Sequence, residues 1–351
     1  MSYALESEAL DDFAPPRKWA ARAFRQKDHP TRYRKSRGAC TTLKQGSDCV
    51  WPYSVRAVPT TPRRNSFDWL LERGPGSPEN TLSRLQVTLA SPESQAAFDV
   101  WLSSHASPLA QRSDRVVIPV IEVGARLRVP GAIDLIREVL RQKPSGSRAA
   151  AVAAQRVRLL PVSGYASAQE LWDYLRNRIE EWERVDPEAA AKAIPSVPSL
   201  AGRNWEGWLT TRIAEGTPLI GWAAALAVLD WANRETTSDS STAAGFFSAM
   251  HERLQRDASH TNIGRTTPDL QSALIWALCS TATEDTLPTA ARAIASAFEH
   301  AKGLQDAAAL RGGRIFVKRW REPALRALIA AFGGGESPTF VRFSALLASG
   351  K

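Results

Sequence analysis

A chain of 351 residues has room for one large or two modest domains, and an apolar content of 44% can fill a core. Three cysteines do not make a disulfide framework, and the longest uncharged apolar stretch, residues 217–229, falls short of the roughly 20 residues that span a bilayer. Glu6, Glu8, Asp11 and Asp12 stand where a secretory leader is basic and then apolar, so a cytoplasmic protein without membrane contact is expected.

The net charge of +9 is unevenly placed. Residues 15–64 carry thirteen Lys or Arg against two Asp, the first fourteen residues carry four acids and no base, and only +2 remains for everything after Arg64. The basic character is therefore expected in the N-terminal segment and not in the body. Residues 1–65 read as a basic, largely irregular arm, because Pro15, Pro16, Pro30, Pro52, Pro59 and Pro62 interrupt every apolar grouping. A short helix fits residues 18–25, with Trp19 and Phe24 as anchors. Arg17, Lys18, Arg22, Arg25, Lys27, Arg32, Arg34, Lys35 and Arg37 are interleaved with Trp19, Phe24 and Tyr33. Cations neutralise phosphates and aromatic rings stack on bases, so these nine residues are the candidates for nucleic-acid contact. A solubilising tail, or one docked on the body or on an acidic protein surface, accounts for the same composition.

The body begins near Phe67, and a loop at 74–78 leads to helices at 81–90 and 92–104. Residues 115–128 admit two readings. Val116, Val117, Ile118, Val120, Ile121 and Val123 suit a strand. They also run into a clear helix at 131–142, and Pro119 suits the kinked first member of a helix pair, which is the reading preferred here. Residues 149–160 read as helix, with the same ambiguity at 157–162. Residues 167–184 carry the clearest amphipathic stripe, Leu171, Trp172, Leu175, Ile179 and Trp182. Residues 194–203, rich in Pro, Ser and Gly, mark a break. Further helices are predicted near 204–214, 218–234, 243–257, 268–281, 288–301 and 322–332, with a short strand or turn within 309–320 and a stop at the glycines 333–335.

One phrase recurs through this series: a proline followed by apolar residues at helical spacing, at Pro92, Pro130, Pro187, Pro218, Pro268, Pro288 and Pro323. Proline is tolerated in a first helical turn, and Ser91, Asp186, Thr217 and Thr267 stand before four of these as candidate caps. Paired short helices build α-solenoids, and the 116–140 pair loosely resembles a HEAT unit. The proline spacings of 38, 57, 31, 50, 20 and 35 residues give no fixed period. The expected fold is mainly α: an irregular helical array or two helical lobes, α-solenoid-like in its pairing, with segments at 1–65, 66–193 and 204–351.

No convergent catalytic set is visible. Cys40 and Cys49 with His29 lack the close-paired spacing of zinc sites, and His251-Glu252 lacks a second histidine four residues on. His105, His260 and His300 read as surface or capping residues, and Cys279 as core. Asp114 and Glu122 have a nuclease-like spacing, but Gly124 stands where a lysine is needed. Trp205, Trp208 and Arg212 are the candidate partner-binding residues, because Trp is favoured at interface hot spots, while a Trp-rich helix–helix core is the competing reading. These features point to a non-enzymatic scaffold or adaptor that binds a macromolecular partner, with a protein partner expected and no cofactor or metal. The alternatives are a nucleic-acid-binding subunit working through the arm, and an enzyme whose site is dispersed in sequence.

Overall fold

The computed structural model describes residues 66–351, except 73–76, 161–167, 201–204, 235–239, 260–267, 300–303 and 350–351. Among the described residues there is no strand. Fifteen α-helices follow one another: α1 Pro78–Thr88, α2 Pro92–Ala110, α3 Asp114–Leu127, α4 Gly131–Gln142, α5 Arg148–Arg156, α6 Ala168–Val185, α7 Pro187–Ala193 and α8 Trp205–Glu215. Then come α9 Pro218–Arg234, α10 Ser240–Ser259, α11 Pro268–Thr281, α12 Leu287–Glu299, α13 Leu304–Trp320, α14 Glu322–Ala331 and α15 Pro338–Ala348. All belong to one unit, Pro62–Lys351.

Each of the seven proline phrases starts a helix. Pro92 and Pro187 occupy the first turn behind side-chain caps: Ser91 accepts from the Ser94 N–H, and Asp186 accepts from the Ala189 N–H. Pro130 sits one position earlier, as the cap residue of α4. The pattern holds twice more, at Ser77-Pro78 and Ser337-Pro338, which open α1 and α15.

The helices pack on their next-but-one neighbours. The odd-numbered helices α1 to α15 form an unbroken ladder in which each touches the odd helix before and after it. The even-numbered helices stack as α2–α4–α6, α8–α10 and α12–α14, and consecutive helices join the two layers. This is the pairing logic of an α-solenoid without its fixed period. One apolar core runs through the described unit from Phe67 to Phe343.

Residues 115–128 are helical despite their β-branched content, as preferred above. Val116, Val117, Pro119, Val120, Ile121 and Val123 are buried on several sides of α3, and that burial outweighs a weak propensity. Residues 194–199, read as part of a break, form a 3₁₀ helix, Ile194–Ser199, with Ile194, Ser196 and Val197 buried against neighbouring elements. The strand or turn expected within 309–320 is absent, and α13 continues through Gly312-Gly313. A Cβ at Gly312 would lie 2.8 Å from Ile275 Cγ2, and one at Gly313 would lie 2.7 Å from Phe343 Cζ. Both glycines therefore serve close approach of α13 to α11 and α15, not chain breaking.

Candidate functional site

Helix α8 carries the three candidate partner-binding residues and divides them. Trp205 is 4% exposed, stacked on Phe246 at 6.3 Å and edge-on to Trp231 at 6.4 Å, and its indole N–H finds no hydrogen-bond partner among the described residues. It is core. Trp208, half-buried, faces α6, where its Nε1 donates to Glu180 Oε1 at 2.9 Å and its ring meets Trp172 edge-on at 5.6 Å. The Arg212 guanidinium lies 4.0 Å above the Trp208 ring and pairs with Glu183 at 3.0 Å and Glu180 at 3.3 Å. Trp208 and Arg212 thus come together, with two carboxylates of α6, as a joint across the 201–204 segment. Trp205 belongs elsewhere.

Several arginines close helix ends. The last carbonyls of a helix have no intrahelical partner and require donors when buried. From α6, Arg178 donates to Leu140 O at 2.9 Å and to Lys143 O, closing α4. From α10, Arg253 donates to Ile213 O, Ala214 O and Gly216 O at 3.3, 3.1 and 2.9 Å, closing α8, and also pairs with Asp257 at 2.9 Å. From α13, Arg319 donates to Ala232 O at 3.3 Å near the end of α9. Sequence reasoning missed this duty, because nothing local marks an arginine that caps a helix 35 to 87 residues away.

The carboxylates singled out for nuclease chemistry also have packing partners. Asp114 accepts from the Ala149 N–H at 3.1 Å, from Ser147 Oγ, and from Lys143 Nζ at 3.2 Å, so it anchors the start of α5. Burial pulls its pKa upward, but the hydrogen bonds from Ala149, Lys143 and Ser147, with the lysine charge, together hold it below the ordinary 3.8. Glu122 pairs with Arg156 at 3.1 Å. Glu138, buried on α4, is balanced the same way: desolvation raises its pKa, while Arg141, Gln142 and Arg137 lower it overall from 4.5. Nδ1 of His105 lies 2.9 Å from Trp101 O, and His251 contacts Gln255. Burial pushes the Cys279 thiol pKa up, which leaves it unreactive. His29, Cys40, Cys49, His260, His300 and the nine arm cations from Arg17 to Arg37 lie outside the described residues. Among the described residues no three His, Cys, Asp or Glu side chains converge as a metal site, and no helix is long and apolar enough to cross a membrane.

The charge of the body is not diffuse. Residues 66–299 carry twenty-three Lys or Arg against twenty-seven Asp or Glu, whereas residues 300–351 carry nine against three. The expectation that basic character stops at the arm is corrected here, because a small total conceals two opposite regions. The concentration follows α13, with Arg311, Arg314 and Lys318 at i, i+3 and i+7 and Arg321 three residues further on. These spacings hold the cations within one stripe, on the side opposite buried Ala309, Gly313 and Phe316. Lys318 and Arg321 are exposed, and Arg311 stacks 4.0 Å over the half-buried Trp276 ring.

Two shallow surface cavities accompany these features. One, of about 180 Å³, is lined by Glu206, Thr210, Thr242 and Phe246, and the other, of about 140 Å³, by Arg141, Tyr174, Arg178 and Glu181. No family model, no curated protein and no solved structure matches this chain.

Proposed function

We propose that the chain is a non-enzymatic helical scaffold that binds a macromolecular partner as a cytoplasmic subunit of a larger complex, with the basic arm adding electrostatic contact. The observation that carries this reading is the ladder of next-but-one helices, which leaves an outward face on helix after helix. Such arrays bind through extended surfaces. A second reading, a nucleic-acid-binding subunit gripping phosphates through Arg17, Lys18, Arg22, Arg25, Lys27, Arg32, Arg34, Lys35 and Arg37, is favoured by the thirteen bases in residues 15–64.

The two readings separate on affinity isolation of the tagged full chain from its own cells, with and without nuclease. A protein retained in stoichiometric amount after nuclease treatment supports the scaffold. Association that disappears with nuclease favours the second reading, and a chain isolated alone under both conditions contradicts both.

A further inference from the structure

We infer that the cavity between the C-terminal turn of α4 and α6, bordered by Arg141, Tyr174, Asn177 and Glu181, holds the main chain of an extended peptide segment from a protein partner. The inference rests on the scaffold reading and says what chemistry that partner presents.

Helical spacing makes the site. Tyr174, Asn177, Arg178 and Glu181 stand at i, i+3, i+4 and i+7 on α6, so they share one stripe. The stripe passes Leu140 and Arg141 at the end of α4, and the two elements enclose about 140 Å³. Further back along α6, Glu170 pairs with Arg137 of α4 at 3.8 Å and closes that end. From Glu170 to Glu181 the stripe is about 16 Å long, a distance that an extended chain covers in about five residues.

The walls are held in place by the fold. Arg178 donates to Leu140 O at 2.9 Å, to Lys143 O, and to Glu181 Oε2 at 2.9 Å. Arg141 Nε donates to Glu138 Oε2 at 3.1 Å, and that carboxylate, on a residue only 8% exposed, also accepts from Gln142 at 2.6 Å. The Tyr174 ring packs on the core. Groups already ordered lose little freedom when a ligand arrives.

The cavity offers hydrogen-bonding capacity of both kinds. The Tyr174 hydroxyl and the Asn177 side-chain amide make no hydrogen bond among the described residues, and Arg141 Nη1 makes none either. The Asn177 amide presents a donor and an acceptor side by side, which is what one peptide unit presents in return. Glu181 can accept a further N–H beside the one from Arg178.

Charge decides among ligand classes. Each guanidinium at the cavity has its own carboxylate, Arg141 with Glu138 and Arg178 with Glu181, so the site is close to neutral. A phosphate or carboxylate would be set against Glu181, and an ammonium against two arginines. A neutral main chain meets neither penalty and uses the donors and the acceptors together.

The test uses the full chain as bait for a phage library of random dodecapeptides, and an enriched peptide is then titrated by fluorescence anisotropy. Asn177→Leu removes a donor and an acceptor, Tyr174→Phe removes the hydroxyl alone, and Gln86→Leu, at an exposed position of α1, is the control. Asn177→Leu is expected to weaken binding about fivefold or more and Tyr174→Phe about threefold, with the control within about twofold of the natural chain. N-methylation of the peptide, scanned position by position, should find at least one amide whose loss costs about fivefold, which side-chain recognition alone does not produce. Affinity should change less than about threefold from 50 to 500 mM salt. Circular dichroism and melting establish that the variants fold, and the N-methyl scan reads the same contact on the natural chain should Asn177→Leu fail to fold.

No enrichment, or enriched peptides that bind both cavity variants as tightly as the natural chain, overturns the inference. So does an enriched set dominated by acidic or basic residues with a steep salt dependence. An Asn177→Leu chain that still retains a stoichiometric protein in affinity isolation overturns the cavity and leaves the scaffold standing. A natural chain isolated alone removes the scaffold reading and the cavity with it.

Discussion

Trp205 and Trp208 lie three positions apart on one helix and behave as different kinds of residue. Trp205 fills the core between Trp231 and Phe246, so Trp205→Ala is expected to cost about 3–5 kcal/mol of unfolding free energy in urea titrations. Trp205→Phe should cost much less, since it keeps an aromatic ring and removes an indole N–H that has no partner among the described residues. Trp208→Ala should fall between the two, because the half-buried ring also loses its bond to Glu180 and its stack under Arg212. The sequence placed both tryptophans on one face because i and i+3 share one. What it could not show is that α8 has neighbours on two sides, which divide that face. Arg253 makes the same point about charge. Arg253→Met would leave the carbonyls of Ile213 and Gly216 without this donor and Ala214 O with Arg256 alone, at a cost of roughly 3 kcal/mol, measurable by the same titration.

At the scale of elements, α13 depends on two glycines that a propensity argument treats as breakers. Gly313→Ala would press a methyl group onto the Phe343 ring, and Gly312→Ala would press one onto Ile275. Each is expected to destabilise by about 1–3 kcal/mol in denaturant titrations, with the double variant worse than either. Helix starts were far more legible than this helix interior. Proline at a first turn is a local rule, and it marked seven helices correctly; Pro78 opens the helix expected over 81–90 three residues early, and Pro338 opens α15, which the sequence analysis left unassigned. The helical state of residues 115–128 and the buried turn at Ile194–Ser199 were less legible, because both are decided by burial against elements distant in the chain.

The joints between elements also carry a pH signature. Asp114 and Glu138 both have folded pKa values below their ordinary 3.8 and 4.5. A depressed carboxylate contributes stability that is fully present above its unfolded pKa and is lost as pH falls through the folded one. Stability should therefore decline as pH is lowered from about 5 through the range below 4. The decline should be shallower in Glu138→Gln than in the natural chain, and unfolding free energy measured at half-unit steps from pH 6 to pH 3 checks it.

For the molecule as a whole, the division of charge matters more than its total. A body that sums to +2 contains an acidic majority over residues 66–299 and a strongly basic remainder, and only counting by segment, with helical spacing, separates them. The two-layer ladder turns that linear division into surfaces, since each helix shows one face to the core and another outward. A scaffold of the kind we propose is defined by what it is assembled with. The most direct measurement is the mass of the particle carrying the full chain, by gel filtration with light scattering of a gentle cell extract near physiological salt. The account predicts an assembly well above the 38.4 kDa of one chain, shrinking when salt or partner removal breaks it. A lone 38.4 kDa particle at every salt concentration would contradict it.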